Sequence, residues 1–382
     1  MLVGTKLTRT SPSDSSFRAG KLIQEFIADL SLNLSDLVVL TEAASGNYVF
    51  TPIIAAKAGA AGVLAIARDS RYGSARTVAE NTLSLARLFG VEREIQISST
   101  IRPEIIKQAD IVTNLGSVRP IDRDFLSKMK NSAVVALMYE TWEFRERDLD
   151  LTECWRRGIP VLGTNEEHEA LRIFDYVGHL CLKRLYEANV EVFRSKIVLV
   201  GDNRFGKNIV KTLSAVGARV LCVTKTERQE IARLGGRKIG NSLKETSAQN
   251  EIEDSDAMII NTYPDLTTVI GENGDLSGEK LKKLAPSVMI IQLNGRVQRE
   301  SLLEHGIACL PLEEPSLGHM GWTLADLGPK PVIALNSGGL KVGELLAKAR
   351  LKGLNHPFAE DDALKDVICQ DFSQEQRKKY EP

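Results

Sequence analysis

Ile197-Val-Leu-Val-Gly201-Asp-Asn203-Arg-Phe-Gly206-Lys-Asn208 decides how this chain is read. Four apolar residues form a short buried strand, the glycines turn the chain, and Lys207 opens a helical pattern running to Val216. In a dinucleotide-binding βαβ unit the first glycine makes the tight turn. The second lets the backbone approach a pyrophosphate, and the third lets helix and strand pack closely. Here the pattern is G-x-N-x-x-G. Asn203 tolerates left-handed backbone better than most residues, so the turn survives, with a side chain where phosphate should pack. Backbone N–H groups at the helix start still suit an anion. Gly201, Asn203, Arg204, Phe205 and Gly206 are therefore candidate cofactor contacts.

Working outward, strand-like runs and helical stretches alternate on both sides of this turn. Before it come runs at 37–40, 63–67, 94–97, 110–114, 133–138 and 160–162, separated by helical stretches such as 49–60, 78–88 and 122–130. After it come runs at 220–223, 257–261, 287–293, 307–310 and 332–335, with helices near 228–234, 278–284 and 299–304. Parallel strand pairs need crossovers, and crossovers are usually helices, so the order predicts parallel sheets. The expected fold is α/β: two doubly wound, Rossmann-like parallel-sheet domains with an interdomain cleft and long connecting helices. At roughly 150 residues per domain, 382 residues accommodate two. The boundaries expected are 1–190 for a substrate domain completed by a C-terminal helix within 340–370, 191–339 for the dinucleotide domain, and 371–382 for a frayed charged tail. A long amphipathic stretch, 165–192, reads as the connecting helix.

Composition excludes several classes. Lys plus Arg number 49 and Asp plus Glu 50, a net charge of −1, so no global field draws nucleic acid or an anionic membrane. Residues 1–18 lack the apolar core of a signal peptide, and nowhere do about 18 apolar residues run uninterrupted. A cytoplasmic protein is expected. The five cysteines are scattered without C-x-x-C spacing and the five histidines show no ligand spacing, which reads as buried thiols and no metal centre.

About 20 residues after the glycine turn, an acidic residue should grip the adenosine ribose. The strand ends instead at Thr224-Lys225-Thr-Glu-Arg228. With no carboxylate at Thr224, and with Lys225 and Arg228 adjacent, a 2′-phosphate is better tolerated, so NADP is favoured over NAD. A solvated loop is the alternative reading of the same residues.

From about Ala109 onward the chain resembles the D-isomer-specific 2-hydroxyacid dehydrogenases and the wider formate/glycerate dehydrogenase-like group. Asp148-Leu-Asp-Leu followed by Arg157-Gly-Ile-Pro-Val161 resembles one passage of that family. Ile290-Ile-Gln-Leu-Asn294-Gly295-Arg296-Val resembles the segment whose arginine binds the substrate carboxylate, and Leu312-Glu313-Glu314-Pro315 the segment whose glutamate supports the catalytic histidine. At the family's histidine position stands Asn336, within Ala334-Leu-Asn-Ser-Gly-Gly339. Asn cannot donate a proton to a carbonyl near neutral pH, and His319 in Leu317-Gly-His-Met-Gly-Trp322 is the nearest substitute. The resemblance implies catalytic roles for Arg296, Glu313 and Glu314, and His319 is the candidate acid–base in place of the missing histidine. It also implies cofactor contacts from Asn261, Thr262, Tyr263, Pro264, Asn294, Gly295 and Asn336, and a homodimer.

The first half carries polar loops after its strands. Glu42, Ser45 and Asn47 follow one strand, Arg68 and Arg71 the next, Arg119 a third, and Glu140 with Arg145 a fourth. Ligands of doubly wound sheets bind beyond the carboxyl ends of strands, so these are candidate substrate contacts, with loop ion pairs as the alternative. The reading that results is an NAD(P)-dependent oxidoreductase moving a hydride to or from a small carboxylate-bearing hydroxy, keto, amino or imino acid. Two others stay open: a regulatory nucleotide- or metabolite-binding protein, and a lyase or hydrolase using tightly held NAD.

Overall fold

Short apolar runs bounded by polar loops become the inner strands of two parallel sheets, because a strand covered by helices on both faces must be apolar throughout. The computed structural model describes residues 12–202, 204–315 and 320–381, so Asn203 and His319 lie outside the described residues. Contacts divide the chain into two units, one comprising residues up to Ile173 and from Gly328 onward, the other Phe174–Leu327.

In the first unit the strands are β1 (Val38–Glu42), β2 (Gly62–Ile66), β3 (Ile95–Ser98), β4 (Ile111–Thr113), β5 (Val134–Ala136) and β6 (Val161–Thr164). They lie in the order β3-β2-β1-β4-β5-β6, all parallel, and a short strand, Cys369–Gln370, pairs antiparallel with β6 at the edge. In register, Leu40 faces Leu64 on one side and Val112 on the other. The helix Pro329–Leu351 belongs to this unit and is buried along most of its length. A Cβ at Gly343 would lie 2.6 Å from Ile111 Cγ2, so the missing side chain is what lets this helix approach the sheet.

The second unit repeats the plan with β7 (Lys196–Val200), β8 (Arg219–Val223), β9 (Arg237–Gly240), β10 (Ala257–Asn261), β11 (Met289–Asn294) and β12 (Ala308–Leu310). Its order, β12-β11-β10-β7-β8-β9, is 3-2-1-4-5-6 read from the other edge. The order reverses between β7 and β10, which makes their carboxyl ends the topological switch point. In the first unit the same reversal falls between β1 and β4.

Three expectations are corrected. Residues 332–335, read as a strand, are part of the buried helix; an apolar run surrounded by protein carries no period that separates the two. The sixth strand of the second unit is instead the polar β9, and the units divide at 173/174 and 327/328, not at 190/191 and 339/340. The charged tail is ordered: Ser373 and Gln376 form a capping box on the helix Gln374–Tyr380, Phe372 is buried in the core of the first unit, and Tyr380 packs against it.

Candidate functional site

At the switch point of the second unit, Gly201 follows β7 with φ of 139° and presses against the end of β10. A Cβ there would overlap the Asn261 carbonyl group, whose carbon would be 2.5 Å away, so no other residue fits this bend. Gly206 opens the ten-residue helix Gly206–Ala215, whose N-cap residue, Phe205, makes no side-chain capping hydrogen bond. A Cβ at Gly206 would meet nothing nearer than 3.9 Å among the described residues, so the glycine leaves room that a ligand can use. Gly201, Gly206, Thr224 and Thr226 line a narrow crevice floored by Val210 and Cys222. Thr262 Oγ1, next to the end of β10, is buried without a hydrogen-bond partner.

Asp202 was not among the expected site residues. Its carboxylate accepts the Thr224 hydroxyl and the Lys225 backbone N–H. A carboxylate therefore does stand at the end of β8, supplied from within the glycine turn and not from the strand. Lys225 and Arg228 are exposed. Lys207 pairs with Glu230 at 2.6 Å. Phe205 is buried, its ring edge-on to Phe174 at 5.1 Å, and Arg204 is exposed.

Asn261 and Asn294 end neighbouring strands and are buried. Asn294 Nδ2 donates to Asn261 Oδ1 at 2.9 Å, and Asn294 Oδ1 accepts the Tyr263 N–H at 3.0 Å, so both amides fix the strand ends. Thr262 and Tyr263 are half-buried and Pro264 exposed. Gly295, with φ of 89°, turns the chain beside Thr262. Arg296 is exposed on a two-residue strand paired with Thr268–Ile270. The half-buried arginine in this region is Arg299, which donates to Gln292 Oε1 at 2.9 Å and to the Pro311 carbonyl at 2.8 Å. Glu313 and Glu314 are exposed. Asn336 lies in the first unit, inside the helix Pro329–Leu351, and donates to Thr51 Oγ1 at 2.8 Å.

The first unit gathers a second set of groups beyond its strand ends. Glu42 Oε2 accepts the Ser117 N–H at 3.1 Å, and burial pushes its carboxyl above the usual range. Arg119 reaches Asp148 at 3.0 Å, donates to the Asn114 carbonyl, and lies over the Tyr139 ring. Arg68, exposed, donates to the Arg119 carbonyl at 2.8 Å. Glu140 is fully buried and accepts Trp142 Nε1–H at 2.6 Å. Glu143, half-buried, and Glu166, buried, were not singled out from the sequence and share this corner with Arg145 and Glu140. Burial raises both, Glu143 to about 7. Arg71 stays apart, exposed and bonded to the Tyr72 hydroxyl. Ser45 lines a groove with Asn81 and Ser84, and Asn47 sits on the neighbouring 3-10 turn.

A dipicolinate synthase chain from Bacillus halodurans superposes with a TM-score of 0.51 at 12% identity, covering 83% of this chain and 98% of its own. The dipicolinate synthase chain from Bacillus subtilis gives 0.50 at 13%, covering 84% and 98%. The NAD-complexed D-isomer specific 2-hydroxyacid dehydrogenase from Lactobacillus delbrueckii ssp. bulgaricus gives 0.46 at 14%, covering 83% and 97%. The likeness is one of fold. It agrees with the α/β fold expected from the sequence, with two Rossmann-like parallel sheets. No protein-family model matches the chain, and no curated protein is similar to it in sequence. Among the described residues, no helix is long and apolar enough to cross a membrane.

Proposed function

We propose that the second unit binds a nicotinamide dinucleotide at the Gly201–Gly206 turn and that the protein is an oxidoreductase acting on a small carboxylate-bearing hydroxy, keto, amino or imino acid. One observation carries the reading: in a 3-2-1-4-5-6 sheet, a glycine that no other residue can replace sits at the switch point and leads into a helix whose N-cap residue offers no side-chain cap. Such a helix start presents N–H donors and the positive end of its dipole to a diphosphate. The open space over Gly206 and the partnerless Thr262 hydroxyl fit a ligand at the same edge.

The cofactor, when bound, supplies the hydride acceptor or donor. This chain's residues hold it: the backbone at 206–208 takes the diphosphate, and Asp202 accepts from the adenosine ribose hydroxyls. A 2′-phosphate there would meet the Asp202 carboxylate, which favours NAD. Arg296 offers a guanidinium for the substrate carboxylate, with Glu313, Glu314 and His319 as the acid–base candidates on the following segment.

Titration of the full-length protein with NADH and NADPH, followed by nicotinamide fluorescence, tests the assignment. Saturable NADH binding is expected, weakened at least tenfold by Gly206→Asp, which brings a negative charge to the diphosphate position. Absence of binding by either nucleotide overturns the proposal. Turnover is then sought with a panel of 2-keto and 2-hydroxy acids at the nicotinamide absorbance, with His319→Ala and Arg296→Ala expected to abolish it while leaving NADH binding intact.

A further inference from the structure

Gln292 is a polar side chain inside an otherwise apolar strand. It lies in β11 between Ile291 and Leu293, and all three are fully buried. A buried amide must find partners for both its oxygen and its nitrogen or it costs stability. Gln292 Oε1 accepts Arg299 Nε–H at 2.9 Å and a further N–H from Arg299 Nη2, while Gln292 Nε2 donates to the Gly295 carbonyl at 3.0 Å. Arg299 Nη1 donates to the Pro311 carbonyl at 2.8 Å, just past the end of β12. We propose that Arg299 and Gln292 are positioning residues for the nicotinamide end of the cofactor site: the guanidinium sets the amide, and the amide sets the bend at Gly295.

A glutamine amide has two orientations that fill the same space and exchange donor for acceptor. A guanidinium has donors only, so Arg299 selects the orientation with the oxygen towards itself, and the amide N–H then points at the Gly295 carbonyl. Flipped, the amide would set two carbonyl oxygens against each other. The charge on one side of Gln292 thereby fixes the hydrogen bond made on the other.

Gly295 turns with φ of 89° directly against the loop that follows β10: a Cβ there would fall 2.1 Å from Thr262 Oγ1 and 3.4 Å from Thr262 N. The same strand ends receive Gly321, whose N–H donates to the Leu293 carbonyl at 2.7 Å. A Cβ at Gly321 would lie 2.7 Å from the Gln292 carbonyl oxygen and 2.9 Å from Pro311 Cδ. A shift of Gly295 or Pro311 is therefore passed to every segment at this edge. In a sheet of this order a dinucleotide lies across the switch point, one mononucleotide over each half. Gly201 and Asp202 take the adenosine half at β7 and β8, which leaves the ends of β10 and β11 for the nicotinamide half; the inference rests on that cofactor reading.

Gln292→Glu separates the two bonds. Beside Arg299 the new carboxylate is ionised, so it keeps the acceptor for the guanidinium and loses the donor to Gly295. Arg299→Lys keeps the charge without the planar fork. The full-length wild type and both variants are titrated by calorimetry with NADH and with ADP-ribose, which lacks only the nicotinamide. NADH affinity is expected to fall about tenfold in each variant while ADP-ribose affinity stays within about twofold. Without nucleotide, hydrogen exchange at amides 295–297 should quicken about tenfold in Gln292→Glu, with the amides of β7 and β8 unchanged. Unchanged NADH affinity or unchanged exchange in Gln292→Glu overturns the proposal. So do equal losses of NADH and ADP-ribose affinity, the outcome of a pair that only supports the fold. A wild type that binds neither compound overturns the cofactor reading itself, and this role with it.

Discussion

Replacing Gly201 by alanine tests the switch-point geometry most directly. The added Cβ would sit 2.5 Å from the Asn261 carbonyl carbon and 3.1 Å from Thr262 N, both backbone atoms at the end of β10. No rotamer change relieves such an overlap, so β7 and β10 must separate where their ladder runs from Ile197–Ala257 to Val200–Ile260. A side chain at φ of 139° adds backbone strain of about 1–3 kcal/mol, and overpacking about 1–3 kcal/mol more. A total near 4 kcal/mol lowers the melting temperature of a unit this size by roughly 8–16 °C. Gly206→Ala is the internal control: its Cβ meets nothing nearer than 3.9 Å, and alanine is the better helix former, so melting should shift by no more than about 3 °C. Differential scanning calorimetry of the two variants beside the wild type checks both. Equal melting of Gly201→Ala and wild type would refute the argument that this bend admits glycine alone.

Asp202→Ala should narrow the NADH-to-NADPH affinity ratio by about tenfold, read by paired fluorescence titrations; an unchanged ratio would show that this carboxylate does not face the ribose. The raised Glu143 carboxyl gives the first unit a defined pH dependence. Its folded pKa of about 7 exceeds the unfolded value of 4.5, so its contribution is whole below about pH 4.5 and is lost as pH rises through 7. The amount is about 3 kcal/mol, visible as a steeper loss of thermal stability from pH 5 to pH 8 in the wild type than in Glu143→Gln. Glu360, fully buried, accepts the Val161 N–H at 2.8 Å, Trp155 Nε1–H at 3.2 Å and Arg377 Nη2–H at 2.9 Å. Glu360→Ala leaves these donors and the Arg377 charge without their acceptor and should cost about 3–5 kcal/mol by calorimetry. Truncation after Phe372 removes the Gln376, Lys379 and Tyr380 contacts and leaves Gln370 on Thr141, so amides 142–146 should lose hydrogen-exchange protection more than Thr141 does.

Most of the architecture was legible because parallel strands covered on both faces have to be apolar, and runs such as Ile197–Val200 and Ala257–Asn261 say so plainly. The polar strand Arg237–Gly240 hid for the opposite reason: it is the edge strand of its sheet, where one neighbour is missing. The glycine turn was readable to the residue, yet Asp202 was overlooked, since a ribose-binding acid is expected 20 positions along the chain and not inside the bend. Asn336, aligned by resemblance with a catalytic histidine, proved to be a helix residue bonded to Thr51. Spacing along a sequence does not report which unit a segment joins when one unit is discontinuous. Glu143 and Glu166 were invisible because the burial of a loop carboxylate is set by the fold and not by its neighbours in sequence. The box Ser373-x-x-Gln376 was a local signal for the terminal helix that the surrounding charge obscured.

The placement of helix Pro329–Leu351 has a consequence for biosynthesis. It fills the middle of the first unit, yet it leaves the ribosome only after Phe174–Leu327 has been made. The segment inserted in the middle of the gene product can therefore close its sheet while the N-terminal portion still waits for its central helix, so the order of maturation inverts the order of translation. During that interval the strands from Ile111 to Thr164, against which this helix packs, stand without its cover, and a holding chaperone would find its ground there.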